Sequence, residues 1–345
     1  MAILNFPNAA GQPTDGSFTY EDNGVLYSWD GYKWTANSEP GYDTRYVEVT
    51  GDTMTGDLTV PSLNGGQLAG FRNQIINGNF EIAQRGIGPF TSQNEYTLDR
   101  WKTRDNAGSP VNVTRMNIDL PGHPYALRYK ATAGTVSGGV DTFIELPSGY
   151  TNGQFSPGST WTLSYWSNKP LSNAIQAQDS SSAEGTPNRA TGGTVEVLDT
   201  YNTFTRYSQT FTMPLTPFTN TKTCLKVVFT QGVLPADFIL TGVQLEPGPV
   251  ASVFEIRPIG LELNLCQRYY ESGTYYGQSG GATSGAWGDT INFTARKRVN
   301  PTNQFYNNTG SVSGQDSARA DSIGFYGTPN TGGEIKFSWN ADAEL

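Results

Sequence analysis

Short runs of alternating apolar and polar residues, separated by glycine, proline and asparagine, fill residues 71–257 of this chain. In the run WTLSYW, Trp161, Leu163 and Tyr165 occupy one face of an extended strand and the residues between them occupy the other, because side chains alternate along a strand with a period of two. No long helical pattern interrupts these runs. They predict an all-β protein whose central part is a β-sandwich or jelly roll.

The predicted strands of this central region follow one another closely. They are Gln74–Ile76, Val111–Met116, Tyr125–Tyr129, Thr142–Leu146, Trp161–Trp166, Thr194–Leu198, Phe204–Phe211, Cys224–Phe229 and Phe238–Leu245. The polar stretch 171–193 between them is predicted to be a long loop.

Two strong turn signals lie in the first forty residues. Asn23-Gly24 and Asp30-Gly31 favour tight hairpin turns, because those turns need positive φ at little steric cost. They predict a three-stranded meander that packs on Tyr27, Trp29 and Trp34. The strands are Phe18–Tyr20, Val25–Trp29 and Tyr32–Thr35. So small a sheet buries little apolar area and is expected to need a partner surface.

The pattern divides the chain into five predicted parts. These are an N-terminal segment 1–38, a connector 39–70, a jelly-roll β-sandwich 71–257, a helical hinge 258–272 and a C-terminal β domain 273–345. The connector is polar and rich in glycine and threonine, and its one short element, Tyr46–Val49, could pair only with a neighbour. The helix is predicted to start after Pro258, with Leu261, Leu265 and Tyr269 at helical spacing, and to end at Ser272-Gly273.

Charge and cysteine content argue against several classes of protein. The 31 acidic and 22 basic residues give a net charge of −9, and a surface of that sign repels nucleic acid and anionic membranes. No apolar run approaches the ~20 residues of a membrane span, and the opening residues do not predict an export signal. Cys224 and Cys266 are predicted to be buried free thiols rather than a disulfide framework.

Candidate catalytic residues are few. A Ser-His-Asp arrangement would have to use His123, the one histidine, which lies in a predicted loop. One histidine and two cysteines cannot supply the four ligands of a usual structural zinc site, so neither a metal nor a cofactor is predicted. Glycoside hydrolysis needs only two carboxylates, and four acidic residues lie in or beside predicted strands: Asp141, Glu145, Glu196 and Asp199. A solvated role is favoured for them, so the chain is not predicted to be an enzyme.

Aromatic residues are the candidate binding residues. Sugar rings stack on exposed tyrosine and tryptophan, whose polar edges also form hydrogen bonds. In the C-terminal part, aromatic residues lie among glycine, serine and asparagine, where exposed loops are expected. They are Tyr275, Tyr276, Trp287, Tyr306 and Tyr326. A core role is the alternative for any one of them, and Asp99-Arg100-Trp101 is likewise interpreted as a salt bridge beneath a packed tryptophan.

Several blocks of sequence resemble bacteriophage tail fibres, notably those of cyanobacterial phages. NQIINGNFEIAQRG (73–86) with YTLDRW (96–101) is similar to the opening of a module found in such fibres, and GVQLEPGPVASVFEIRPIGLELNLCQRYYE (242–271) is similar to its close. FSWNADAEL (337–345) resembles their usual ending, VTGDTMTGDLTV (49–60) a connector repeat, and the first residues a virion-attachment segment.

The resemblance implies an order of parts along a fibre. The N-terminal meander, with Phe18, Tyr27, Trp29 and Trp34, would attach to the tail, the baseplate or a tail adaptor, and the connector would bring three chains together as a homotrimer. The central module is also similar to carbohydrate-binding jelly rolls, some of which hold a structural calcium through a glutamate matched here by Glu81. Thr241-Gly242 stands where an acidic ligand would fall, so calcium is not predicted.

The expected protein is therefore a fibre of the phage virion, made in the host cytoplasm, that recognises a host-surface glycan, lipopolysaccharide or protein through its distal β domains. The alternatives are a structural adaptor that joins the tail to another fibre, a tailspike depolymerase, and a carbohydrate-binding module of a secreted hydrolase. The depolymerase would require clustered carboxylates and a repetitive β-helix, which the sequence does not show. Neither nucleic-acid binding nor membrane insertion is expected.

Overall fold

The chain is almost entirely β-structure, with one short helix and several sheets that form β-sandwich domains, as the sequence predicts. The computed structural model describes residues 5–22, 25–36, 71–104, 110–132, 138–146, 155–178, 189–214, 224–232, 235–278, 287–330 and 333–344. The chain forms two compact units, residues 1–58 and 59–345. The predicted connector 39–70 and its element Tyr46–Val49 lie outside the described residues.

The first unit contains the predicted three-stranded antiparallel meander. Its strands are β1 (Thr19–Asp22), β2 (Val25–Trp29) and β3 (Trp34–Ala36). Trp34 lies at the centre of an aromatic cluster, with its ring 5.2 Å from Phe18 and 5.7 Å from Trp29. Phe6, which the turn pattern does not mark, stacks on Trp34 at 5.3 Å and contacts Tyr27 at 5.0 Å. The cluster is half-buried, which agrees with a sheet too small to enclose its own core.

The central part of the second unit is a two-sheet antiparallel β-sandwich. Its strands are β4 (Trp101–Thr103), β5 (Val111–Asn117), β6 (Tyr125–Ala131), β7 (Gly138–Glu145), β8 (Thr160–Ser167), β9 (Ser172–Gln178), β10 (Thr191–Tyr201), β11 (Phe204–Thr212), β12 (Cys224–Gln231) and β13 (Ala236–Pro247). A six-stranded sheet has the order β10-β11-β8-β13-β6-β5, and a four-stranded sheet has the order β4-β7-β12-β9.

The alternation in β8 places its side chains as the sequence predicts. Trp161, Leu163 and Tyr165 belong to the main core between the two sheets. Trp166 points to the other face, where it joins a smaller cluster with Leu120 and Phe204. The period of two therefore determines which side of the six-stranded sheet is the inside.

Two predictions about the central region are wrong in detail. The polar stretch 171–193 contains strand β9, because Ile175 and Ala177 are buried and β9 pairs with β12 along its length. Gln74–Ile76 does not form a strand; Gln74 instead donates its backbone N–H to the Leu245 carbonyl. Polar residues and β-branched residues give only local signals. Contacts with segments that are distant in sequence override both signals.

Helix α1 (Ile259–Gln267) follows Pro258 as predicted but is shorter than predicted. Tyr270 already begins the next strand, β14 (Tyr270–Gln278), so Ser272-Gly273 is extended backbone and not a helix end. Pairing of β14 with the last strand of the chain stops the helix earlier than its own apolar spacing would.

The C-terminal part is a second, smaller sandwich. Beside β14 its strands are β15 (Trp287–Asn292), β16 (Thr302–Thr309), β17 (Ser311–Ala318), β18 (Ser322–Thr328) and β19 (Glu334–Asp342). They form two three-stranded sheets, β14-β19-β16 and β15-β18-β17. Between the sheets lies an aromatic core that includes Phe325, Phe337 and Trp339.

Neither Cys224 nor Cys266 forms a disulfide, and both are buried, which confirms the prediction from the cysteine count. Among the described residues, the structure contains no helix of the length and apolarity that crossing a membrane requires.

Candidate functional site

The outer face of the sheet β14-β19-β16 carries two exposed tyrosines. Strand β19 alternates strictly: Ile335, Phe337 and Trp339 are buried, and the residues between them face away from the core. The register with its neighbours carries this alternation across the sheet, so Tyr276 on β14, opposite Lys336, and Tyr306 on β16, opposite Ser338, share the outer face.

The two rings lie on either side of β19. Tyr276 is 56% exposed and Tyr306 is 40% exposed. Two strand spacings and an offset of two residues place their Cα atoms roughly 12 Å apart. Two ring faces on one sheet at that separation can contact an elongated ligand at two points.

Polar side chains surround the two rings. The Tyr276 hydroxyl donates a hydrogen bond to Glu334 at 3.2 Å and accepts one from the Gln278 amide at 2.9 Å, which orients the ring. Further along the same face, the Asn340 amide donates to the Gln304 side-chain oxygen at 3.3 Å. Aromatic faces among amides and hydroxyls match the chemistry of a sugar, which has apolar C–H faces and a polar edge.

The sequence places all five candidate aromatics in one group, but the structure separates them. They lie on strands rather than in the expected loops. Tyr275 faces the core, where its ring stacks on Phe337 at 5.3 Å and its hydroxyl donates to Asp289 at 2.5 Å. Burial raises the pKa of Tyr275, and the hydrogen bond to Asp289 raises it further. Its role in the structure is packing.

Tyr326 and Trp287 belong to the other sheet of the C-terminal sandwich. Tyr326 is exposed on the outer face of β18, opposite Gly288 on one neighbouring strand and Gly314 on the other. Trp287 begins β15 and pairs with Gly327 through its backbone; its side chain lies outside the described residues. Tyr326 therefore does not share a surface with Tyr276 and Tyr306.

His123 is buried, and its polar contact is with an asparagine rather than with catalytic side chains. Its Nδ1 lies 2.6 Å from the Asn79 side-chain oxygen, which also accepts a hydrogen bond from Thr241. The ring packs near Phe254 and Trp166. Burial, and to a smaller extent the positive charge of Arg206, lowers the pKa of His123 to about 4. The side chain is thus neutral near pH 7.

We expect His123 to show no titration between pH 8 and pH 5 in the folded protein. Its pKa falls from 6.5 in the unfolded chain to about 4. The unfolded state therefore binds the extra proton first, and stability falls as the pH decreases from 6.5 to 4, by about 3 kcal/mol from this group. Because the chain has one histidine, NMR reads its titration directly, and the same chain in urea provides the control with a midpoint near 6.5. A midpoint near 6.5 in the folded protein would contradict the buried contact.

The four candidate carboxylates do not form a pair. Asp141 lies 3.0 Å from Lys226, and Glu145 lies 2.9 Å from Arg268, so both are ion-paired. Glu196 and Asp199 lie on the exposed strand β10, where Asp199 accepts a hydrogen bond from the Thr200 N–H. Asp141, Glu145 and Asp199 therefore each contact a different partner.

Glu81 and Thr241 are the positions that the sequence resemblance associates with a structural calcium ion, and both lie in the described part of the chain. No group of three or more histidine, cysteine, aspartate or glutamate side chains there could hold a metal ion. Glu81 accepts a hydrogen bond from Asn79 at 3.2 Å, and Thr241 donates to the Tyr125 carbonyl at 2.7 Å. Asn79 lies between the two, because its side-chain oxygen is 3.2 Å from the Thr241 hydroxyl.

The segment Asp99-Arg100-Trp101 lies under the junction between the two sandwiches. Trp101 is fully buried, as predicted, but the salt bridge of Arg100 is with Glu344 at the other end of the chain. The Asp99 carboxylate accepts hydrogen bonds from the backbone and the side chain of Gln84. The structure assigns these residues to the core and not to a ligand site.

Composition selected Tyr276 and Tyr306, and it missed the rest of the outer face. Lys336, Ser338 and Asn340 belong to it and occupy every second position of β19. The run EIKFSWNAD contains that alternation, although its pairing partners β14 and β16 are tens of residues away in sequence.

No family model matches the sequence, and no curated protein matches it. Among solved structures, the enzymatically active domain of tailspike protein 4 of bacteriophage CBA120 matches 53% of this chain and 22% of its own, at 15% identity and a TM-score of 0.32. A Bacteroides thetaiotaomicron protein described as sugar-binding matches 51% of this chain and 100% of its own, at 9% identity and a TM-score of 0.32.

A third similar structure is the N-terminal CBM22-1–CBM22-2 tandem domain of Paenibacillus barcinonensis Xyn10C. It matches 75% of this chain and 91% of its own, at 11% identity and a TM-score of 0.30. Likenesses this distant leave the function of the chain to be argued from its own residues.

Proposed function

We propose that this chain is a bacteriophage tail fibre protein that binds a host-surface glycan, such as the sugar part of a lipopolysaccharide. Its distal end would carry the binding face, and its N-terminal unit would attach to the tail or to a tail adaptor. The sequence blocks that resemble phage fibres support the assignment to a virion. The observation that carries the binding function is the outer face of β14-β19-β16 with Tyr276 and Tyr306.

The composition of this face favours a sugar over a protein partner. A protein interface buries a contiguous apolar centre, whereas here two separate rings stand among serine, threonine, asparagine and glutamine side chains. Lys336 and Glu334 place one charge of each sign beside Tyr276. Rings that offer a flat face and a hydroxyl fit the two sides of a sugar.

Binding is favoured over cleavage. Hydrolysis of a glycosidic bond needs a proton donor and a second carboxylate on either side of the bond. Asp141 and Glu145 are held in ion pairs. The hydroxyl groups of Tyr276 and Tyr306 are suited to forming hydrogen bonds with a bound sugar. The chain would accordingly hold the glycan for the virion and leave it intact.

The N-terminal aromatic cluster supplies a candidate surface for tail attachment. Phe18, Tyr27, Trp29 and Trp34 contact one another or Phe6, and each remains partly exposed. A cluster that is only half-enclosed gains stability when a second protein covers it. Three copies per fibre would then turn weak single-site glycan binding into firm attachment.

We expect the full-length chain to bind selected polysaccharides on an array of bacterial surface glycans, and Tyr276→Ala and Tyr306→Ala to weaken that binding. Loss of one well-placed aromatic side chain costs about 2 kcal/mol, or ~30-fold in affinity. Affinities measured by titration against the selected polysaccharide test each variant. Reducing ends assayed in the same samples are expected to stay at background.

Tyr326→Ala is the matched control, because Tyr326 is 44% exposed on the opposite sheet. It should bind as the unaltered chain does. Loss of binding in Tyr326→Ala with no loss in the other two variants would move the site to the other sheet. Release of reducing ends would instead favour a depolymerase, and no binding to any glycan would favour the adaptor role.

A further inference from the structure

Lys336 lies between the two tyrosines of the outer face of β14-β19-β16. It is on the middle strand β19, directly opposite Tyr276. Tyr306 is its diagonal neighbour on β16, because Tyr306 is opposite Ser338, two residues further along β19. Directly opposed side chains have Cβ atoms about 5 Å apart, and diagonal neighbours are roughly 7 Å apart. The exposed, flexible stem of Lys336 can therefore bring its ammonium to a ligand that lies across both rings.

The charged side chains of this face differ in whether the protein itself supplies a partner. Glu334 accepts the hydrogen bond of the Tyr276 hydroxyl at 3.2 Å, and Asp342 pairs with Arg85 at 3.1 Å. Within the described part of the chain, Lys336 forms neither an ion pair nor a hydrogen bond, and its ammonium does not lie over a tyrosine ring. The positive charge between the two rings is therefore available to a ligand.

The neighbours of Lys336 along β19 determine where an anionic group fits. On the side away from Glu334, the next residue of the outer face is Ser338. Its cross-strand neighbours are Thr274 on β14 and Tyr306 on β16. The hydroxyls of Ser338 and Thr274 can donate hydrogen bonds to an anion that the ammonium holds. Four residues of strand, about 13 Å, separate Glu334 from Ser338, which exceeds the Debye length of about 8 Å, so the carboxylate repels such an anion only weakly.

An ammonium in this position distinguishes sugars by their charge. A hydrogen bond from a lysine to a carboxylate or phosphate is roughly twice as strong as one between neutral groups, whereas the hydroxyls of a neutral sugar gain little over their bonds to water. The chain as a whole carries a net charge of −9, so most of its surface repels an acidic polysaccharide. Lys336 supplies a local positive charge where the two rings can also stack on the sugar.

We propose that the glycan bound on this face is acidic, and that Lys336 binds its anionic group, a uronic acid carboxylate or a phosphate. This inference rests on the proposed glycan-binding function and adds the class of sugar to it. The anionic group faces Lys336 and Ser338, and the neutral part of the glycan stacks on Tyr276 and Tyr306. The tyrosines then supply binding common to neutral and acidic sugars, and Lys336 is the specificity-determining residue.

Binding of the full-length chain to matched pairs of polysaccharides tests the proposal. Uronate-containing bacterial polysaccharides are compared with their carboxyl-reduced forms, and phosphate-bearing lipopolysaccharides with their dephosphorylated forms. In one kind of pair, the acidic member is expected to bind about 10-fold more tightly, as one charge-assisted hydrogen bond allows. Lys336→Met should lower affinity for the acidic member by about 10-fold and leave affinity for the neutral member unchanged. Lys336→Arg keeps the charge and should keep the preference.

Lys130→Met is the matched control, because Lys130 is exposed on β6 of the central sandwich and its loss changes the net charge by the same amount. It should keep the preference of the unaltered chain. Equal binding of both members of every pair, with Tyr276→Ala still weakening it, would overturn the acidic assignment and leave the glycan-binding function intact. Loss of the preference in Lys130→Met as well as Lys336→Met would also overturn the assignment, since net charge alone would then explain it. Binding to no polysaccharide would overturn both proposals.

Discussion

Replacing Glu344 with alanine is expected to lower the free energy of unfolding by about 3–5 kcal/mol, the range found when one partner of a buried ion pair is removed. Arg100 and Glu344 are separated by most of the chain and lie against each other in the core, with 1% and 4% of their side chains exposed. Without Glu344 the guanidinium of Arg100 would be a buried charge without its counter-ion. Urea denaturation of the full-length chain measures the loss.

The surroundings of Arg100 explain why the loss is large. Its guanidinium stacks 3.5 Å from the Tyr269 ring and donates to the Phe143 carbonyl at 2.5 Å. Burial is the largest single effect and lowers the pKa of Arg100, but the Glu344 carboxylate, together with Tyr269, Tyr96 and Cys266, outweighs burial and raises the pKa. The charge therefore persists in the interior, and water cannot replace the carboxylate there.

Asp342→Ala provides the matched control. Asp342 also pairs with an arginine, Arg85, at 3.1 Å, but its side chain is 41% exposed. An exposed pair contributes at most about 1 kcal/mol, so this variant should unfold almost as the unaltered chain does. The double variant Arg100→Met/Glu344→Leu should recover most of the stability lost in Glu344→Ala, because it leaves no unpaired charge. Equal losses for Glu344→Ala and Asp342→Ala would show that burial of the pair contributes nothing.

The parts of the fold that follow from local patterns were predictable from the sequence. Period-two alternation placed Trp161, Leu163 and Tyr165 in the core, and Asn-Gly and Asp-Gly turns placed the strands of the meander. The same alternation puts Tyr276 on the outside of its strand and Tyr275 on the inside, so adjacent tyrosines have opposite roles. Composition alone treats the two as equivalent, which is why both were candidate binding residues.

The parts that depend on distant pairing were not predictable. Arg100 finds its counter-ion at Glu344, and β9 becomes a strand because β12 supplies its hydrogen bonds. Phe6 completes the cluster around Trp34 although no turn or alternation marks it. Glu255 and Ile256 also run against burial propensity, because Glu255 is buried and Ile256 is exposed, against the preference of both residue types.

The other large effect is expected at Asn77, in the block NGNFEIAQRG. The Asn77 side chain donates to the carbonyls of Ile82 and Asp99 at 2.9 and 3.0 Å and accepts from the Ile82 N–H at 3.0 Å. Its backbone N–H donates to Glu262, and its carbonyl accepts from the Trp101 indole. One asparagine thus ties a turn, a core strand and helix α1 together. At the next residue, Gly78, a Cβ would stand 2.1 Å from the Val243 carbonyl, so only glycine fits.

Asn77→Ala is expected to cost about 4 kcal/mol, again measured by urea denaturation. The substitution leaves three buried backbone groups without partners, each costing about 1–3 kcal/mol, and puts a Cβ residue without a side-chain hydrogen bond at φ 58°. Asn94→Ala isolates the strain: Asn94 has φ 55°, is exposed and makes no side-chain hydrogen bond in the described structure, so it should cost about 1 kcal/mol or less. Asn77→Gly relieves the backbone strain but still lacks the side-chain hydrogen bonds. Its cost in stability should therefore fall between those of Asn77→Ala and Asn94→Ala. If Asn77→Ala costs no more than Asn94→Ala, the asparagine serves only the left-handed turn, and the junction between strand, turn and helix must be held by its neighbours.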